Sequence, residues 1–320
     1  MDGQVILEIL PSVVLEGLLL GLVYAMIALG YSMVYGVLGL INFAHSEVFM
    51  IGAVAGAEVM IACAHTGAVV ALLLALLAGA LVAGLLAVVM ERVAYRPLRR
   101  RGSKVRLVPL ITAIGVSFFL QDATRLYLGL VHDDFYRVYP NFELFERTLN
   151  LPLEATIQGK GIVLIMVAAL MLAALWFLVV RTPMGRAIRA VAQDRDAASL
   201  MGIDPDRVVA RTFFLGGCLG GVAGVLFGLL YTQINPYSGF FPGIKAFTAA
   251  VLGGIGSIPG AALGGLFLGV LEIMGGTYLP LVTDGNIGTE YKDIFAFAVL
   301  IGILLFKPSG LLGRGHVEKV

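Results

Sequence analysis

The chain has 320 residues, 59% of them hydrophobic and only 13% charged, with a net charge of +1. A soluble domain carries about 25% charged residues, so an ordinary soluble protein is excluded, and the near-zero charge implies no nucleic-acid partner. The two cysteines, Cys63 and Cys218, lie far apart in apolar runs, which excludes a disulfide framework or a cysteine metal site.

Apolar runs of about 20 residues recur along the whole length, which is what a helix needs to cross a bilayer. Nine segments are read, at 13–38, 43–64, 67–91, 108–130, 161–181, 211–232, 243–258, 259–280 and 290–306. Continuous runs such as 68–90 argue against a barrel of short alternating strands. The expected fold is an all-α polytopic membrane protein of eight or nine spans, one transmembrane domain over 1–320. The N-terminus has Asp2 and Glu8 and no basic stretch before its apolar run, which argues against a cleaved signal peptide.

The first segment ends in a polar break, 36–42, followed by Asn42, His45, Ser46 and Glu47 inside apolar sequence. An ionisable residue at membrane depth is costly unless it meets a partner or a water-filled cavity, so the stretch marks a candidate functional site. The segment after it, 48–64, and a second one at 243–258 are short and glycine-rich, as expected of broken or re-entrant helices near 36–64 and 235–258.

Seven basic residues follow at Arg92, Arg96, Arg99, Arg100, Arg101, Lys104 and Arg106. Six more lie at Arg181, Arg186, Arg189, Arg195, Arg207 and Arg211, and the tail adds Lys307, Arg314 and Lys319. These regions hold 16 of the 22 basic residues. They are expected on the cytoplasmic side: a basic loop at 92–107, a segment at 182–210 and the C-terminus. The acidic loop at 131–160, with its prolines and aromatics, is expected outside as an ordered cap, and His132-Asp133-Asp134 reads as a solvated acidic turn.

Within 182–210, Thr182 and Pro183 open a helix, Met184, Ile188 and Val191 form an apolar stripe, and Gly202 is an end signal. The mixed charges and the stripe point to docking on another protein. Further on, Gly216, Gly217, Gly220, Gly221, Gly224 and Gly228, then Gly253, Gly254, Gly260, Gly264, Gly265 and Gly269, put small residues at helical spacing. Close helix packing is the expected use.

A weak internal repeat joins 45–53 and 243–251. Each follows a break (36–42, then 235–239), places a charge two residues before a phenylalanine (Glu47 and Phe49; Lys245 and Phe247), and enters a small-residue helix. Paired interrupted segments in two halves point to a transport path. No GxxxxGK[ST] phosphate loop and no local histidine metal motif is evident, so no cofactor is expected, and another chain would have to hydrolyse ATP.

Tyr35 through His45 resembles the N-terminal signature of branched-chain amino acid ABC transporter permeases of the LivH type. Glu91 through Arg99, Pro109 through Gly115, Thr182 through Gly202, Phe247 through Gly260 and Lys307 through Leu311 resemble further parts of that family, so the likeness covers nearly the whole chain. Ser46-Glu47 departs from it, where many relatives have glycine and a variable residue. The resemblance implies a bacterial inner-membrane permease subunit without enzymatic activity of its own. Its implied partners are a second, LivM-like permease, two cytoplasmic ATPases and an external solute-binding protein. The implied cargo is branched-chain or other neutral amino acids; urea and short-amide permeases share much of the signature.

Alternating access implies a path lined by Asn42, Phe43, His45, Glu47, Lys245 and Phe247. ATPase movement would be received by Gly185, Arg186, Arg189, Asp194, Asp196 and Gly202. Each path residue has a plainer use: Asn42 caps a helix, His45 is a buried packing residue, and Glu47 pairs with Lys245 or with a basic residue of the partner. Rival classes are an ion-coupled transporter using Glu47 and Lys245, and a channel.

Overall fold

Helices made from the apolar runs build the scaffold of the computed structural model, which describes residues 3–40, 42–100, 107–150, 156–307 and 309–313. In chain order come α1 (Gly3–Leu38), α2 (His45–Ala62) and α3 (Ala68–Met90), which a π-helical turn (Glu91–Tyr95) and α4 (Arg96–Arg100) prolong. Next are α5 (Leu107–His132), β1 (Arg137–Val138), α6 (Glu143–Glu146), β2 (Thr148–Asn150), β3 (Thr156–Gln158) and α7 (Gly159–Arg181). The chain continues with α8 (Pro183–Gln193), α9 (Arg195–Leu200), α10 (Pro205–Tyr231), β4 (Gln233–Ile234), α11 (Phe240–Gly253), α12 (Ile258–Val282) and α13 (Lys292–Phe306).

Six stretches of the described residues are long and apolar enough to cross a membrane: Glu8–Leu38, His45–Ala62, Ala68–Arg99, Gly159–Arg181, Pro205–Tyr231 and Ile258–Val282. The protein is therefore a multi-pass helical membrane protein. Its short strands lie in the connections, where β2 pairs antiparallel with β3 and β1 with β4, Arg137 opposite Ile234.

Several boundaries differ from expectation. Gly36 is helical, so the first break opens at Gly39, φ +65°, and ends where α2 begins at His45. α2 runs unbroken for 18 residues rather than being interrupted. The expected basic loop at 92–107 is helical through Arg100, because the π turn carries the chain onward without exposing an unpaired backbone; Arg101, Lys104 and Arg106 lie outside the described residues, as do Pro152, Pro308, Arg314 and Lys319. α10 starts at Pro205, since Asp204 caps it by accepting from the Asp206 and Arg207 amides at 3.0 and 3.2 Å.

The glycines act as helix contacts, on two faces of α10 rather than one. Cβ atoms on Gly217 or Gly221 would overlap α3 at Ala83 and Gly79, while on Gly224 one would overlap the Phe49 carbonyl of α2. α1 and α12 run antiparallel through Gly17, Gly21 and Ala25 against Gly269 and Gly265, so their backbones nearly touch. With no hydrophobic drive between helices in lipid, such small-residue seams supply dispersion contact instead. α11 has 14 residues, about 21 Å at 1.5 Å per residue. It stops at Gly254 (φ +101°), turns through Gly256 (φ +87°), and folds back along α12, where Gly253 meets Gly260 and Gly264 meets Ala249.

Candidate functional site: two breaks and a cap

The first break closes on Asn42, which is buried. Its Oδ1 accepts from the Ala44 amide at 3.1 Å and from the Tyr95 hydroxyl at 2.7 Å. The side chain thus closes a local turn ahead of α2 and ties the break to the basic end of α3. Its Nδ2 has no partner among the described residues.

His45 opens α2 and is buried in a slot that glycine creates. A side chain on Gly30 would collide with its ring, and Gly220 lies beside it. Tyr31 meets the ring edge-on, centroids 4.9 Å apart. His45 thus fits the packing use, although Nε2 lacks a hydrogen-bond partner among the described residues.

Glu47 is fully buried. Its Oε1 accepts from Ser46 at 3.2 Å, and from Ser117 at 3.1 Å and Gln121 at 2.8 Å on α5. Oε2 has no partner among the described residues. The suggested Glu47–Lys245 pair does not form.

Lys245 turns elsewhere, to Glu272 on α12 at 2.8 Å and Asp293 on α13 at 2.8 Å. Tyr24 of α1 donates to the other oxygen of Glu272 at 2.8 Å, and Lys292 stands 3.3 Å from Glu272. Two cations and two carboxylates therefore balance in one cluster, with Lys245 and Glu272 buried and Lys292 and Asp293 part-exposed, that ties short α11 to three longer helices. The sequence signal for it was only that Lys245 and Glu272 are charges in apolar runs; their meeting depends on the α11–α12 fold-back.

The two breaks meet through aromatic rings. Phe43 and Phe247, both half-buried, have centroids 5.5 Å apart, and Tyr31 lies 6.0 Å from Phe247. Tyr31, Tyr35, Phe247, Ala250 and Ile255 line a small adjoining pocket. Gly239 and Gly243 press on Ser46, so α11 starts against the first turn of α2.

At the segment expected to couple, Thr182 caps α8 by accepting from the Gly185 amide at 3.3 Å. Gly185 is required because a Cβ there would overlap the Val179 carbonyl, to which Arg189 also donates. Asp194 ends α8 and caps α9, accepting from the Asp196 and Ala197 amides at 2.9 Å. Gly202, at φ +81°, ends α9. Arg186, Arg189, Asp194 and Asp196 are exposed.

The apolar stripe is a correction. Ile188 and Val191 are buried in the protein's own core instead of facing a partner. The exposed apolar residues are Leu200 and Met201, at 88% and 82%, which the stripe argument missed because they sit at the last residue of α9 and in the turn after it.

Behind this segment Asp206 meets Arg96 at 3.0 Å and Arg99 at 2.7 Å, and Arg99 also meets buried Glu91 at 2.7 Å. Burial, with the like charge of Arg99 beside it, holds the Arg195 guanidinium below its ordinary range.

On the opposite side, Tyr139 reaches in from the 131–160 connection and donates to the Ala53 carbonyl at 2.6 Å, lodged against Gly56 and Gly228. Glu58 pairs with His132 at 2.8 Å and with Arg137 at 2.9 Å. His132 is thus tied to Glu58 rather than left in a solvated turn.

Residues 13–304 match the family described as branched-chain amino acid transport system / permease component. The high-affinity branched-chain amino acid transport system permease protein BraD of Pseudomonas aeruginosa is 45% identical over 309 residues, 95% of this chain and 96% of its own. LivH of Escherichia coli strain K12, named for the same high-affinity system, is 46% identical over 308 residues, again 95% and 96%. A probable LivH of Methanocaldococcus jannaschii is 28% identical over 69% of this chain and 68% of its own. No solved structure matches the sequence. The near-complete alignment, carried on a multi-pass helical scaffold, makes this chain a member of the branched-chain amino acid transport permease family.

Proposed function

We propose that this chain is one permease subunit of an ABC importer in a bacterial inner membrane and forms half of the route for branched-chain amino acids. The observation that carries the reading past family membership is the Phe43–Phe247 contact, centroids 5.5 Å apart. It joins two chain breaks from opposite ends of the sequence at one half-buried place, an arrangement that suits a route lined by interrupted helices.

Phe43, Phe247, Tyr31 and Tyr35 form the apolar lining. Asn42, His45, Glu47 and Lys245 hold the two breaks in register behind it. Selectivity then rests with an external binding protein, and the apolar lining lets an aliphatic side chain pass without a deep well.

The spans follow by parity. The basic segments around 92–100 and 181–207 share the cytoplasmic side. α7 crosses between the outer connection and the second of them, so α5 crosses between the first and that connection. α10 returns to the outer side, where β4 joins β1. α11 starts deep in the bundle against Ser46, α12 crosses outward, and α13 brings Lys307 back inside. This gives nine crossing elements with the N-terminus outside, and two halves that each hold a break followed by a short helix, α2 and α11.

Two ATPases dock below, on the exposed charges of α8 and α9 and on the Leu200–Met201 tip. Pushing that tip moves α10 directly, since Gly202 and Asp204 join them without slack. A LivM-like second permease and an external binding protein complete the machine.

The test is uptake by proteoliposomes holding both permeases and both ATPases, with binding protein added. Leucine, isoleucine and valine are expected to accumulate only with ATP inside the ATPase-accessible face. Uptake that survives ATP depletion but collapses with an uncoupler, or flux without binding protein, overturns the reading; transport of urea or acetamide in preference overturns the cargo.

A further inference from the structure

We propose that Arg195 and Glu91 carry movement of the α8–α9 segment to the first break. Arg195 exchanges with Arg99 on the Glu91 carboxylate, and the π turn that Glu91 opens then shifts Tyr95 and, through it, Asn42. This deepens the importer reading above, on which it rests.

Glu91 opens the π turn and Tyr95 closes it, and both are buried. The Arg96 amide donates to the Glu91 carbonyl five residues back, one residue further than in an α-helix. Such single-turn widenings occur frequently at functional sites. Here the two ends of the turn hold different parts of the molecule. The Glu91 carboxylate meets Arg99 at 2.7 Å, and the Tyr95 hydroxyl donates to Asn42 at 2.7 Å. The Tyr95 ring packs on Phe213 of α10, centroids 5.6 Å apart. A shift of the π turn therefore moves the partner of Asn42.

The cluster around Glu91 is incompletely paired. Nη2 of Arg99 serves both Glu91 Oε1 and Asp206 Oδ1, each at 2.7 Å, while its Nη1 has no hydrogen-bond partner among the described residues. Glu91 Oε2 also lacks one, on a side chain with 0% exposure. Arg195 is the first residue of α9 and stands within electrostatic reach of Glu91, Asp206 and Arg99. Its Nε and Nη2 are buried without a hydrogen-bond partner among the described residues. Donors lacking an acceptor thus share a cluster with an acceptor lacking a donor, and each such buried group costs stability. Bringing Arg195 onto Glu91 satisfies both, and it releases Arg99 to take Asp206 with both of its terminal nitrogens. Arg96, Arg99 and Arg195 share the carboxylates of Glu91 and Asp206, so a small displacement decides which guanidinium holds Glu91.

A push on α9 supplies that displacement. Arg195 and exposed Leu200 are the first and last residues of one six-residue helix, about 8 Å apart at 1.5 Å per residue. Asp194 caps that helix and Gly202, at φ +81°, ends it, so load on the tip reaches Arg195 with no joint between them.

The experiment uses the complex of both permeases and both ATPases in proteoliposomes, with binding protein added. Spin labels go on cysteines placed at Val93 and Ala197, both exposed, in a chain with Cys63 and Cys218 replaced. They read the distance between the π turn and α9. That distance is expected to change when the complex is trapped with ATP and vanadate, and the change is expected to be lost in Arg195→Gln, a part-exposed site. No change on trapping without the Arg195 substitution, or the same change in Arg195→Gln, overturns the proposal. A second arm counts ATP hydrolysed per leucine taken up. A several-fold rise is expected for Arg195→Gln at an unchanged melting temperature, a similar rise for Glu91→Gln, and no further rise for the double variant. Unchanged counts in Arg195→Gln, or additive rises in the double variant, overturn it. The distances and Arg195→Gln decide the matter by themselves where Glu91→Gln fails to assemble. Label distances are read whether or not solute moves, so failure here is distinguishable from failure of the uptake test.

Discussion

The Tyr95 hydroxyl donates to Oδ1 of Asn42 across 2.7 Å, joining the first chain break to the basic prolongation of α3, 53 residues away in sequence. Removing that hydroxyl with Tyr95→Phe leaves Asn42 with only its local bond to the Ala44 amide. The expected loss is about 1 kcal/mol, the net worth of a typical hydrogen bond. It is checked by thermal unfolding in detergent alongside the uptake rate. A drop in uptake larger than the drop in stability would mark the break as a moving part of the route.

Lys245 is the only cation within 3 Å of both Glu272 and Asp293 among the described residues. Lys245→Met strands two carboxylates, and breaking a buried pair costs about 3–5 kcal/mol. Lys292, 3.3 Å from Glu272, offsets part of this. The double change Lys245→Met with Glu272→Met is expected to recover stability relative to the single one. Equal melting temperatures for the single and double variants would show that the pair does not couple α11 to α12.

Gly269 packs on the Gly21 backbone so closely that any Cβ would overlap it, whereas nothing lies within 4 Å of a Cβ on Gly36. Gly269→Val is expected to abolish folded protein in the membrane fraction, and Gly36→Ala to leave its yield unchanged. Ordinary yield of Gly269→Val would mean that α1 and α12 separate without penalty.

Leu200 and Met201 are exposed while Ile188 and Val191 are buried, although all four are apolar residues of one segment. Leu200→Glu with Met201→Glu is expected to preserve thermal stability and to remove the stimulation of ATP hydrolysis by loaded binding protein. Ile188→Glu is expected to lower stability outright, because an unpaired carboxylate has then to be buried. Normal stimulation in the Leu200/Met201 variant sinks the docking role of the tip.

Bulking Gly202 tests the joint to α10. At φ +81° a β-branched side chain is strained. Gly202→Val is therefore expected to melt the end of α9, seen as faster proteolysis between 193 and 204, and to uncouple ATP turnover from uptake.

The apolar runs alone were enough to place the helices, because period, length and the absence of charge are local properties of a chain in lipid. The Thr182 cap and the Gly202 stop were legible for the same reason: each satisfies backbone groups a few residues away. Basic clustering carried an expectation of sidedness, and glycine spacing carried the close helix seams, though not which helix each face meets. The partners of the polar residues were not legible. Glu47 and Lys245 sit at matched places in two similar stretches, yet one bonds to α5 and the other to α12 and α13. Likewise, one apolar stripe turned inward and an unremarked pair, Leu200 and Met201, was left outside. A buried charge needs an opposite or hydrogen-bonding group within about 3 Å, and which group lies there depends on how helices far apart in sequence cross and fold back. That was decided by the turns at Gly39 and Gly254 and by the glycine seams, where backbone contact leaves each helix a single depth and rotation against its neighbour.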